Sequence, residues 1–117
     1  MRALVASYGY DVEAVEVSGC LHLKTAATGL PAGSVLLNPA WIDARVFRDR
    51  TIHHVDPAEP FGANVVTVGG AVLAAQAHSR TAAALVAAGF AVSTVDVSEL
   101  AKAEGALTCC SLLLDNA

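Results

Sequence analysis

The stretch Asn64-Val65-Val66-Thr67-Val68-Gly69-Gly70-Ala71-Val72-Leu73-Ala74-Ala75 decides how this chain folds. Two apolar runs flank a Gly-Gly pair, and both positions of a two-residue hairpin turn take positive φ, which glycine adopts without steric cost. Downstream, Ser79 stands where a helix cap belongs, the helix is expected to run to about Ala88, and Gly89 suits its C′ position. Phe90–Val97 then reads as a strand. The unit is strand, strand, helix, strand.

The same order is expected upstream. Leu21-His22-Leu23-Lys24-Thr25 alternates like a half-buried strand, Leu30-Pro31-Ala32-Gly33 is a turn, and Ser34–Asn38 is the returning strand. Trp41–Arg48 is a short helical segment and Thr51–Val55 a strand. Val35-Leu36 recurs as Val72-Leu73, and Val55-Asp56 as Val95-Asp96. At the N-terminal flank, residues 1–8 have helical spacing ended by Gly9, and Asp11–Val17 reads as a strand. At the other end, Ser98 can cap one turn, and Gly105 leads into an expected strand, Leu107–Leu114. The expected fold is therefore α/β, one partial domain over 1–117. Residues 1–17 end a preceding module, 18–58 and 59–97 are two ββαβ modules, and 98–117 add a helical turn and a closing strand. Repeats of this kind suggest a radial or stacked architecture, here cut open.

With 117 residues the chain can fill one domain. An apolar fraction of 55% against 15% charged implies surface hidden against another copy or domain. A net charge of −4 argues against nucleic acid as a partner. No apolar run approaches the ~20 residues needed to span a bilayer, and Met1-Arg2-Ala3-Leu4 does not begin a signal peptide. Three cysteines, two of them adjacent, do not make a secreted disulfide framework, so the expected setting is cytoplasmic.

The chemistry-bearing residues gather near the end, in Leu107-Thr108-Cys109-Cys110-Ser111. Free cysteine is ordinarily a small buried hydrophobe, and on a strand only one of two neighbours can face a pocket. A working thiol needs a lowered pKa or a nearby base. His22, between Leu21 and Leu23, is the candidate base. His53-His54 would point apart on a strand, and His78 reads as a loop residue. Glu59, Glu99 and Glu104 are by default solvated charges, with Glu104 set apart because it lies five residues before Cys109. Cys20, His22, Cys109 and Cys110 could be drawn as a zinc set, but Cys-x-His with adjacent thiols is not a usual structural spacing.

Several stretches are more specific together than singly. They are Gly19-Cys20-Leu21-His22-Leu23-Lys24-Thr25, Leu37-Asn38-Pro39-Ala40-Trp41, Glu59-Pro60-Phe61-Gly62-Ala63-Asn64, Val95-Asp96-Val97-Ser98-Glu99, Lys102-Ala103-Glu104-Gly105 and Leu107-Thr108-Cys109-Cys110-Ser111. In this order they resemble the C-terminal half of the dimethylarginine dimethylaminohydrolases, in the pentein superfamily of guanidine-modifying enzymes. The resemblance implies an α/β propeller, with Cys109 as nucleophile and His22 as general acid/base. It assigns the backbone carbonyl of Ala103 to the substrate's α-amino group and sets Glu104 beside it. It implies a methylated arginine as substrate, no cofactor, and no metal. The family's guanidinium-binding carboxylates and carboxylate-binding arginines match nothing here, so the chain alone is expected to be inactive. Its expected partner is a complementing N-terminal half or further copies of itself. The alternative is a non-catalytic half-propeller that self-associates through its strand edges.

Overall fold

The computed structural model describes residues 1–114. Its two three-stranded sheets share one plan. In the first, β1 (Ala27–Gly29) pairs antiparallel with β2 (Val35–Leu37), which pairs parallel with β3 (Ile52–His54). In the second, β4 (Val66–Val68) pairs antiparallel with β5 (Ala71–Ala75), which pairs parallel with β6 (Val92–Val95). Gly69 and Gly70 make the second hairpin with φ of 55° and 81°, the left-handed values for which the Gly-Gly pair was suited.

Both central strands are unbroken apolar runs because both of their faces are covered. Side chains alternate across a strand. Leu36 therefore enters a core with Leu30, Val55, Val65, Val72, Ala74 and Leu85, which draws on both sheets. Val35 and Leu37, on the other face, enter a second core with Ala26, Ala27 and Ile42. Val66, Ala75 and Leu107 form a third, smaller core behind the second sheet.

The crossovers differ. In the second unit, α3 (Ser79–Ala87) connects β5 to β6 and buries Thr81, Ala82 and Leu85. Ser79 is its first helical residue rather than its cap. The cap is Glu59, whose two carboxylate oxygens accept from the backbone N–H groups of Arg80 (2.9 Å) and Thr81 (2.8 Å). In the first unit the crossover holds only a 3₁₀ turn, Ala44–Phe47, capped by the Asp43 carboxylate on the Arg45 N–H. It is shorter than the Trp41–Arg48 helix that was expected.

Two further expectations need correction. Leu21–Thr25 is not a strand: Leu23–Ala26 is the single helical turn α2, and β1 begins only at Ala27. Alternating apolar residues fit a turn whose Ala26 is buried while its outer side faces solvent. Asp11–Val17 has no regular secondary structure and joins no ladder; Val15 and Val17 pack against the second core without a strand partner. Before it, the helical segment expected over residues 1–8 is α1 (Arg2–Val5) plus a 3₁₀ turn, ended by Gly9 at φ 76°. The chain then crosses at Gly19, where an added Cβ would lie 2.2 Å from the Trp41 indole nitrogen, so only glycine fits. The Ser18 N–H donates to the Trp41 carbonyl (2.9 Å), and the Trp41 ring meets Phe61 edge-on at 5.1 Å. Among the described residues no helix is long and apolar enough to cross a membrane.

Candidate active site

The last described stretch is a turn, not the closing strand expected over Leu107–Leu114. Leu107 is buried in the third core, whereas Leu112, Leu113 and Leu114 are 83%, 62% and 79% exposed. Among the described residues no neighbouring strand pairs with that run. The expected closing segment continues to residue 117; residues 115–117 lie outside the described residues.

α4 (Ser98–Lys102) leads into this turn, with the Asp96 carboxylate accepting from the Ser98 N–H (2.8 Å). Ala103 and Glu104 follow, both exposed, with Glu104 in the left-handed region at φ 59°. Gly105 is tightly seated, since a Cβ would lie 3.0 Å from the Leu100 carbonyl and 3.2 Å from the Cys110 sulfur. The turn is anchored by Asn64, which is buried in the loop before β4. Its Oδ1 accepts from the Thr108 N–H and the Thr108 hydroxyl, both at 3.0 Å.

Within that anchored turn the two thiols sit side by side. Cys109 and Cys110 are both exposed, with their sulfurs 3.9 Å apart. On the expected strand only one of the two could face a pocket, leaving Cys110 to the core; on a turn adjacent side chains need not alternate, and both are exposed. The Ala106 N–H points at the Cys109 sulfur from 3.1 Å. That donor holds the Cys109 thiol below its ordinary pKa, and the contact with Cys110 adds to the effect. The same contact, seen from Cys110, pushes its thiol up. One of the pair is thus biased toward thiolate and the other toward thiol.

His22 comes from a different element. It is exposed on the bend before α2, in the first unit, whereas Cys109 is docked on the second. Among the described residues no hydrogen bond joins them. Cys20 sits beside His22, its thiol 3.5 Å from the His22 carbonyl, and burial raises its pKa against that hydrogen bond. Among the described residues no three His, Cys, Asp or Glu side chains cluster as metal ligands, so the four-residue zinc set is not assembled. An open groove bordered by Leu23, Thr28, Gly33 and Arg50 lies under the first sheet and includes neither His22 nor Cys109. Arg2 spends its guanidinium on the Val12 carbonyl (2.7 Å), within the N-terminal arm.

Sequence reading missed Glu59 and Asn64. Glu59 is buried rather than solvated. Burial disfavours its charge, but the Arg80 and Thr81 N–H groups, the Thr81 hydroxyl and His78 together outweigh burial and lower its pKa. Its only signal in sequence was its place in a breaker-rich loop upstream of a helix whose first residue is Ser79.

No family model matches the chain. It is 37% identical over 115 residues to N(G),N(G)-dimethylarginine dimethylaminohydrolase of Streptomyces coelicolor, covering 97% of this chain and 43% of that enzyme. Among solved structures, it is similar to a Cys-to-Ser mutant of the Pseudomonas aeruginosa enzyme complexed with citrulline (TM-score 0.81, 27% identity, 92% of this chain and 42% of that one). It is also similar to a His-to-Gly dimethylarginine dimethylaminohydrolase as its adduct with S-methyl-L-thiocitrulline (TM-score 0.82, 26% identity, 93% and 43%). The chain thus spans less than half the length of the relatives it matches. Along almost all of its own length it resembles dimethylarginine dimethylaminohydrolase, in sequence and in its α/β fold.

Proposed function

We propose that this chain carries the nucleophile and the acid/base of a methylarginine hydrolase that turns dimethylarginine into citrulline and dimethylamine, and that it is inactive without a second polypeptide segment. The observation that carries the reading is the Cys109 thiol, exposed and pulled toward thiolate by the Ala106 N–H. The histidine and cysteine substituted in the two solved relatives carry numbers 87 apart, the separation of His22 and Cys109.

A guanidinium carbon is a poor electrophile because its charge is delocalised, so it calls for a thiolate. Cys109 attacks that carbon, and His22 gives a proton to the leaving dimethylamine. The thiouronium left on sulfur is hydrolysed when His22 takes a proton from water. The Ala103 carbonyl accepts from the substrate's α-amino group, and Glu104 stands beside it. The absence of a His22–Cys109 hydrogen bond is compatible with this, because catalytic hydrogen bonds in empty sites are commonly long and tighten on substrate binding. Positioning can supply about 7–11 kcal/mol of a barrier. Nothing in this chain matches the carboxylates and arginines that the resemblance calls for, so the isolated chain should turn over negligibly. Citrulline release is the test. The chain alone should give none above background, the chain with a complementing N-terminal half should give it, and Cys109→Ser should abolish it. Turnover at an enzymatic rate by the chain alone would contradict the reading, as would a reconstituted pair indifferent to Cys109→Ser.

A second reading, self-association without catalysis, is favoured by the exposed apolar side chains of Leu4, Leu21, Leu112 and Leu114. A stable oligomer whose formation does not depend on any N-terminal half, and which yields no citrulline with one, would support it.

A further inference from the structure

Cys109 and Cys110 hold a relation that amidine hydrolysis does not use. Their sulfurs are 3.9 Å apart, both are solvent-accessible, and among the described residues no charged side chain hydrogen-bonds to either. The turn that presents them is braced by the Cys110 N–H on the Ala106 carbonyl (3.1 Å) and by Asn64 on Thr108. Gly105 leaves the Cys110 sulfur uncrowded, because a Cβ there would lie 3.2 Å from it. The third thiol, Cys20, is half-buried in the first unit and hydrogen-bonded to His22.

We propose that Cys109 and Cys110 form a hydroperoxide-reactive dithiol site, in which Cys109 is oxidised and Cys110 resolves it into a reversible intrachain disulfide. The Cys109 thiolate attacks one peroxide oxygen; the O–O bond breaks, and the departing hydroxide takes a proton to become water. Cys109 is left as a sulfenic acid. The Cys110 thiol attacks that sulfur, the S–O bond breaks, and the oxygen leaves as a second water carrying the Cys110 proton. Two thiols have lost two electrons, and one hydroperoxide has gained them. Accessible thiols of low pKa beside a resolving cysteine are the arrangement that oxidation selects, and the opposite biases of the two thiols assign attack to Cys109 and resolution to Cys110.

The geometry also fixes the character of the product. Adjacent Cα atoms are about 3.8 Å apart across a trans peptide, below the roughly 4.4–6.8 Å span of ordinary disulfides. The bridge is therefore strained and readily reduced, a reversible cap that keeps Cys109 from the irreversible sulfinic acid. This proposal needs only the two thiols, so it can fail or hold without touching the hydrolase reading.

The test is to treat the 117-residue chain with hydrogen peroxide and follow intact mass, unreduced peptide maps and the free-thiol count. The expected result is loss of two hydrogens and of two titratable thiols, mapped to the Cys109–Cys110 peptide and reversed by dithiothreitol. Cys20→Ser should behave the same, whereas Cys110→Ser and Cys110→Ala, each checked for an unchanged circular dichroism spectrum, should instead gain oxygens at Cys109. Sulfinic acid building up on Cys109 as fast in the parent chain as in the Cys110 variants would overturn the proposal. So would an intermolecular disulfide, or one involving Cys20, as the main product.

Discussion

The two sheets follow one plan, yet the first crosses from β2 to β3 with a single 3₁₀ turn, while the second crosses from β5 to β6 with α3, a nine-residue helix. The second unit can keep its helix because Glu59, arriving from the connecting loop, satisfies the N–H groups that Ser79 leaves open. The first unit has no such helix and covers β2 instead with Trp41, Phe47 and the N-terminal arm carrying Val15 and Val17. One architecture is thus closed in two ways, by a capped helix and by a borrowed arm. Leu36 ties them together, since it belongs to the first sheet but is buried in the core shared with the second.

The largest effect should come from cutting that tie. Leu36→Ala, at a fully buried site, is expected to cost about 2–5 kcal/mol. Urea unfolding should remain a single transition at a lower midpoint. Two separated transitions would mean that the units are independent. Next comes the helix that distinguishes the second unit. Glu59→Ala removes both acceptors at a buried helix start and should cost about 2 kcal/mol, with β6 and α3 amides losing hydrogen-exchange protection before β1–β3. The sign with pH follows from the lowered pKa of Glu59. Its contribution is present above the carboxylate's unfolded-state pKa and is lost as pH falls through the lower folded-state value. The gap between parent and variant should therefore close on acidification; a gap that widened would reverse the assignment. Asn64→Ala should be milder, about 1 kcal/mol in all, because Thr108 is only partly buried and water can replace the lost acceptor. It should also free the cysteine turn, so that the pH midpoint for alkylation of Cys109 rises toward that of an ordinary thiol. An unchanged midpoint would mean that the Ala106–Cys109 contact survives without its anchor. The smallest effect belongs to the first unit's turn. Asp43→Ala breaks an exposed pair with Arg45 (2.7 Å) and an exposed cap on the Arg45 N–H, and should lower the urea midpoint only slightly.

The central strands were legible because each is an unbroken apolar run beside a turn, and the Gly-Gly hairpin because its glycines are needed for positive φ. Asp11–Val17 and Leu107–Leu114 were read as strands on apolar content alone, but a strand also requires a partner backbone, and neither finds one. The helix caps were misplaced for a related reason. Ser79 and Ser98 are the residue types that cap, yet Glu59 and Asp96 reach the open N–H groups, one of them from 21 residues away in sequence. Cys109 was singled out through the resemblance; its exposure and lowered pKa, and the exposure of Cys110, depend on turn geometry that the sequence does not display. The pairing of His22 with Cys109 rests on the resemblance, because no local pattern joins two residues 87 positions apart.

Gly19, pressed bare against the Trp41 indole, has an optical consequence. Trp41 is the only tryptophan in the chain, and its ring lies where the N-terminal arm, the first sheet and Phe61 meet. Its emission is a native gauge of that seam. Release of the arm should redden and quench it before the sheets come apart, so the closing of the first unit can be watched without adding a label.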